Sequence, residues 1–114
     1  MSSHTPNGIA HFDVLGPEPD ALHEFYSAVF NWKVDPQGPG YALVQTPAGS
    51  PDGAVVEAEQ AGIVVGIVVQ DLDATVAAAE AHGGQVVMPP TDNGWVVKAQ
   101  VTDPAGNLLS LIGG

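Results

Sequence analysis

IAHFDVLGPEPDALHEFYSAVFNW, residues 9–32, carries a strand, a break and a helix in that order, and the rest of the chain is read outward from it. Ile9–Leu15 is an apolar run cut off by Gly16, Pro17 and Pro19, a cluster that cannot continue a central strand. Asp20 is suited to cap a helix. After it Leu22, Phe25, Tyr26, Val29 and Phe30 recur at three and four residues, which predicts a helix to about Asn31 with these side chains on its buried face. Three short runs follow, Trp32–Val34, Tyr41–Gln45 and Ala54–Glu59. They read as strands separated by loops built from Pro36, Gly38, Pro39, Gly40, Pro47, Gly49, Pro51 and Gly53.

The pattern then restarts. Ile63–Val69 is a β-branched strand, Asp73 an N-cap, and Thr75–His82 an alanine-rich helix closed by Gly83 and Gly84. Gln85–Met88, Trp95–Val101 and Asn107–Ile112 give three more strands, with Pro89, Pro90, Asn93 and Gly94 in one turn and Asp103–Asn107 in the next. Asp20 and Asp73 are 53 positions apart, and so are Trp32 and Gln85, so one offset relates the halves. The expected architecture is α+β, two tandem βαβββ units forming curved mixed sheets around a cleft. Residues 1–8 are expected to be a flexible tail, 9–59 the first unit and 60–114 the second, all within one domain of 114 residues.

Charge narrows the function. Thirteen acids face only Lys33 and Lys98, there is no arginine, and the formal net charge is −11. Nucleic acid is an unsuitable partner, since phosphate neutralisation needs Lys and Arg, and phosphorylated substrates lack their usual arginine clamp. Without cysteine there is no disulfide framework, thiolate zinc site or cysteine nucleophile. No apolar run is long enough to span a bilayer and Met1–Gly8 lacks the features of a secretory signal, so the expected location is the cytoplasm, with no membrane partner. The acidity serves solubility or attracts cationic ligands.

Residues 9–32, together with VVQDLDATVAAAEAHGGQVVMPP (68–90) and VTDPAGNLLSLI (101–112), resemble the vicinal-oxygen-chelate superfamily of glyoxalases, bleomycin-resistance proteins and extradiol dioxygenases. The resemblance implies metal ligands on the first and fourth strands of each unit. His11 and Glu57 match those places in the first unit. Adding 53 lands on Val64 and Ser110, and shifting by one finds Ile63, Val65, Leu109 or Leu111, none of which ligates a metal. The expectation is therefore no cofactor, with a divalent metal ion on His11 and Glu57 as the alternative.

His11 has an ordinary strand-histidine reading as well, hydrogen-bonded to Asp13 two residues on and on the same face. Trp32, Tyr41 and Trp95 are candidate stacking surfaces, which with His11, Asp13 and Glu57 complete the candidate ligand-binding set. His23 and His82 read as surface residues on their helices, and His4 lies in the tail. The leading function is a binder of a small organic ligand without a complete metal site, of which capture of a cationic molecule is the specific form suggested by the acidity, and the alternative is a metal-dependent lyase or dioxygenase using His11 and Glu57. A third, a surface acting only on a partner chain, stays open. The resemblance also implies a homodimer.

Overall fold

The computed structural model describes residues 6–113; the expectation of a flexible tail over residues 1–5, with His4, falls outside them. Two compact units are present, one of residues 11–64 and one of residues 65–113 together with residues 6–10. Among the described residues no helix is long and apolar enough to cross a membrane.

The first unit runs β1 (Ile9–Gly16), α1 (Pro19–Phe30), β2 (Lys33–Gly38), β3 (Tyr41–Gln45) and β4 (Asp52–Glu57). Its strands lie in the order β2-β3-β4-β1, with β1 parallel to β4 and the other pairs antiparallel. Alternation along the strands sends Val14, Ala42, Val44 and Val55 to the face that α1 covers, where Phe12, Leu22, Tyr26, Trp32 and Val34 pack on them. A fully buried valine contributes roughly 1.5–3 kcal/mol there.

Helix α1 departs from its sequence reading in two ways. It starts at Pro19 after Glu18, with no side-chain cap, so Asp20 sits in the first turn, where its charge suits the helix dipole instead. It also buries none of its residues fully: Phe25, Val29 and Phe30 are 48%, 57% and 51% exposed. Leu22 and Tyr26 use up the contact with the sheet, and the apolar stripe is wider than that contact. His23, expected at the surface, turns partly inward, and its Nε2 is shielded with no hydrogen-bond partner. Asn31 ends the helix in the left-handed region (φ 63°).

The second unit repeats the order with β5 (Gly62–Val69), α2 (Leu72–Ala81), β6 (Gln85–Asp92), β7 (Val97–Thr102) and β8 (Leu108–Gly113), and its strands are arranged β5-β8-β7-β6. Leu72 and Val76 of α2 close a core of Val69, Ala99, Val101 and Leu111. The cap of α2 is Asp71, whose carboxylate accepts from the Ala74 N–H at 3.0 Å, and Asp73 is a first-turn residue. The β7–β8 turn is organised by Asp103. Its Oδ1 accepts from the Ala105 and Asn107 N–H groups (3.0 and 2.9 Å) and its Oδ2 from the Asn107 side chain (2.9 Å). The Asn107 side chain first, then its backbone N–H, hold the Asp103 carboxyl below its ordinary pKa.

Pro36 and Gly38, expected in a loop, lie inside β2, and Pro89 and Pro90, expected in a turn, lie inside β6. Both strands end their rows and pair on one side within their units, where a residue without an N–H is tolerated.

The offset of 53 holds for the β1 and β5 starts (Ile9, Gly62) and for the residues before the helices (Glu18, Asp71). It fails on the last strand of each unit. Gly16 pairs with Glu57, and its counterpart Val69 pairs with Gly113, so the offset there is 56. Glu57 therefore corresponds to Gly113, and Ser110 to Ala54.

Candidate functional site

The face of the first sheet opposite α1 carries the odd-numbered side chains of β1, and the strand registers set its residues in rows. His11 pairs with Asp52, the pairing of Val44 with Gly53 sets Gln45 beside Asp52, and Gln45 pairs with Lys33. The row Lys33–Gln45–Asp52–His11 thus crosses four strands, about 14 Å from end to end. The next row is Asp35–Leu43–Ala54–Asp13, and beyond it stand Tyr41, Val56 and Leu15. The face grades from polar to apolar over three rows.

A hollow of ≈ 270 Å³ opens over the first two rows, walled by His11, Lys33, Asp35, Leu43, Gln45 and Asp52, with the backbone of Val44 and Gly53 in its floor. His11 Nε2 lies 2.9 Å from Asp13 Oδ1, with side chains 33% and 21% exposed. A neutral imidazole donating through Nε2 leaves Nδ1 as an acceptor. Asp52 is fixed too, because its Oδ1 accepts from the Thr46 N–H (2.9 Å) and hydroxyl (3.3 Å). Lys33 brings one of the two cations of the chain into a hollow that also holds Asp35 and Asp52, with Asp13 beside it. At neutral histidine the balance is negative.

The six sequence candidates divide. His11 and Asp13 come together on the open face, and Tyr41 shares that face two rows away, 41% exposed. Trp32 is on the opposite face, stacked on Tyr26 with ring centroids 5.6 Å apart and planes 6° apart. Glu57 pairs with Gly16, so it also belongs to the α1 face, five residues along β4 from the partner of His11; its side chain packs over Gly40. Trp95 stands 92% exposed in the β6–β7 turn of the second unit and lines no part of this hollow.

Lys33, Asp35, Gln45 and Asp52 were missed. A lysine in a chain with only two was the available signal for the first, but the others become neighbours only through the strand registers.

A metal centre does not fit these residues. His11 and Glu57 are on opposite faces and about 16 Å apart along the strands. Their counterparts are Val64 and Gly113, neither of which offers a side-chain donor. Among the described residues no three His, Cys, Asp or Glu side chains come together as metal donors.

Comparison with known proteins identifies the fold. The family model described as Glyoxalase/Bleomycin resistance protein/Dioxygenase superfamily matches residues 8–111. None of the curated proteins matches the sequence. Among solved structures, a superfamily member from Vibrio splendidus is similar at TM-score 0.73 with 12% identity, covering 96% of this chain and 100% of that one. Methylmalonyl-CoA epimerase from Mycobacterium tuberculosis is similar at TM-score 0.72 with 17% identity, covering 99% and 92%. The Mn(II)-bound glyoxalase from Novosphingobium aromaticivorans matches at TM-score 0.70 with 19% identity, over 96% of this chain and 38% of that one. At such identities the likeness extends to the fold.

Proposed function

The chain belongs to the Glyoxalase/Bleomycin resistance protein/Dioxygenase superfamily, and we propose that within it the protein binds a small, cationic organic molecule on the open sheet face of residues 11–64 without a complete metal site. The observation that supports this reading is the hollow over the Lys33–Gln45–Asp52–His11 row, in which two carboxylates and a third beside them outnumber one lysine. Its volume is near the lower end for ligand pockets, which suits a molecule of modest size. Leu43 and Tyr41 offer apolar and aromatic surface next to the acids, so an amine carrying a ring or short alkyl group meets both kinds of contact.

The metal-dependent alternative gains nothing from the geometry, because its two protein ligands do not meet. Isothermal titration tests the binding reading with an aromatic amine, its neutral isostere and its carboxylate analogue. The amine is expected to bind best, and Asp35→Asn and Asp52→Asn to weaken it roughly fivefold each, the scale of an exposed ion pair. Equal affinity for the amine and its neutral isostere overturns the proposal.

A further inference from the structure

Helix α2 leaves part of its own sheet uncovered. It packs chiefly over β6 and β7, and beside it a hollow of ≈ 320 Å³ opens above Ile67 and Val69 of β5 and Leu109 and Leu111 of β8. Thr75, Ala78 and Ala79 form the helix side of that hollow. The offset of 53 that relates the residues before the two helices matches these three to Leu22, Phe25 and Tyr26 of α1. In the first unit Leu22 and Tyr26 pack on the sheet, whereas their counterparts end in a hydroxyl-bearing carbon and a methyl group. Val69 in place of Gly16 returns one side chain from the strand, too little to replace a leucine and a tyrosine ring. The floor is firm, since Val69 and Leu111 are 1% and 4% exposed and belong to the core of the unit. Concave apolar surface held open to water gains from any neutral molecule that displaces that water.

We propose that this hollow is a second small-molecule site, in the other unit from the Lys33–Gln45–Asp52–His11 row, and that it takes an uncharged, lipophilic molecule with one hydrogen-bond donor at most. Three observations select that occupant. The volume is near the lower end for ligand pockets, so it admits a ring system or short chain and not a helix of another protein. The lining carries no charge. Although the chain has 13 acids, no ionisable side chain among the described residues borders the hollow, and a charged group entering it would lose hydration without gaining a partner. Finally, the Thr75 hydroxyl donates to the Asp71 carbonyl at 2.8 Å, which leaves its oxygen as an acceptor facing a ligand donor. Asn7, the other polar residue of the lining, is exposed and keeps its amide in water.

Methyl-resolved NMR on the full chain tests the proposal with two probes, indole, which is neutral with one N–H donor, and indole-3-carboxylate. Indole is expected to shift the methyl signals of Ile67, Val69, Leu109 and Leu111 saturably, with a Kd of about 1 mM or tighter. The carboxylate is expected to bind at least about tenfold more weakly. Ala79→Leu puts back the bulk that α1 carries at the matching position, so it is expected to weaken indole at least about tenfold and to raise the melting temperature as the space fills. Should Ala79→Leu misfold, Ala78→Leu on the exposed side of the wall decides, with a loss of about threefold or more expected. Absence of saturable shifts overturns the proposal, as do equal affinities for the two probes or undiminished binding in the folded variants. Shifts confined to Leu43 would put the probe on the first sheet and overturn it as well. Binding that appears only when residues 1–5 are removed, or that falls as protein concentration rises, assigns the hollow to the start of the chain or to a second copy, and the proposal fails.

Discussion

His23 sits on the inner flank of α1 with a shielded Nε2 and nothing to bond it. A buried polar atom in that state costs about 1–3 kcal/mol, so His23→Leu is expected to leave stability unchanged or to raise it, as read by urea unfolding. A clear loss would mean that the nitrogen has a partner in solution. A core phenylalanine loses about 3–5 kcal/mol on truncation. Half exposed as it is, Phe25→Ala is expected to cost about 1–2 kcal/mol. Asp103 gives a pH test. Its folded pKa is depressed, so its contribution is present above the ordinary carboxylate range and is lost as pH falls through the folded value. Asp103→Asn is therefore expected to melt below the wild type at pH 7, and the two to converge in strong acid. The His11–Asp13 bond was legible from their spacing alone, because two residues along a strand always return to one face. The burial of Phe25 was not, since periodicity locates an apolar stripe but not how much of it the sheet can cover.

Among the elements, the caps show where local reading stops. Asp71 and Asp73 both precede the alanine run, and only the backbone dihedrals decide which one caps it. Asp71→Ala is expected to cost about 1 kcal/mol and Asp73→Ala less than half of that, measured by thermal unfolding. Element order, by contrast, was fully legible, because Gly and Pro clusters divide the apolar runs, the first helix shows its periodicity and the second its alanine run. The error with Pro36, Pro89 and Pro90 came from assigning them to loops, when a strand paired on one side accommodates them. At Gly53 of β4, the partner of Phe12 on β1, an added Cβ would lie 2.6 Å from both the Phe12 ring and its carbonyl oxygen. The carbonyl cannot swing aside, so Gly53→Ala is expected to cost about 1–3 kcal/mol and to disturb the floor of the hollow.

For the molecule as a whole, the family rested on motifs spread along the chain and was readable, while the proposed binding face was not. Its rows depend on which residues pair across β1–β4, and three residues gained after the second helix had shifted the register of the last strand by an amount no local signal marks. A specific ion stabilises a native state by about 2.7 kcal/mol at a hundredfold excess over Kd. Mn, Fe, Ni and Zn at near-millimolar concentration are each expected to leave the melting temperature within error. A rise of several degrees that His11→Ala abolishes would restore the metal-dependent reading. The prolines of β2 and β6 have a further effect, on behaviour in concentrated solution. A strand that offers a full row of N–H groups can template the addition of another chain and start a fibril. Pro36 removes a donor from one such strand and Pro89 and Pro90 remove two consecutive donors from the other. A proline whose missing N–H lies on the open side of such a strand leaves a gap in the row that a further strand would need.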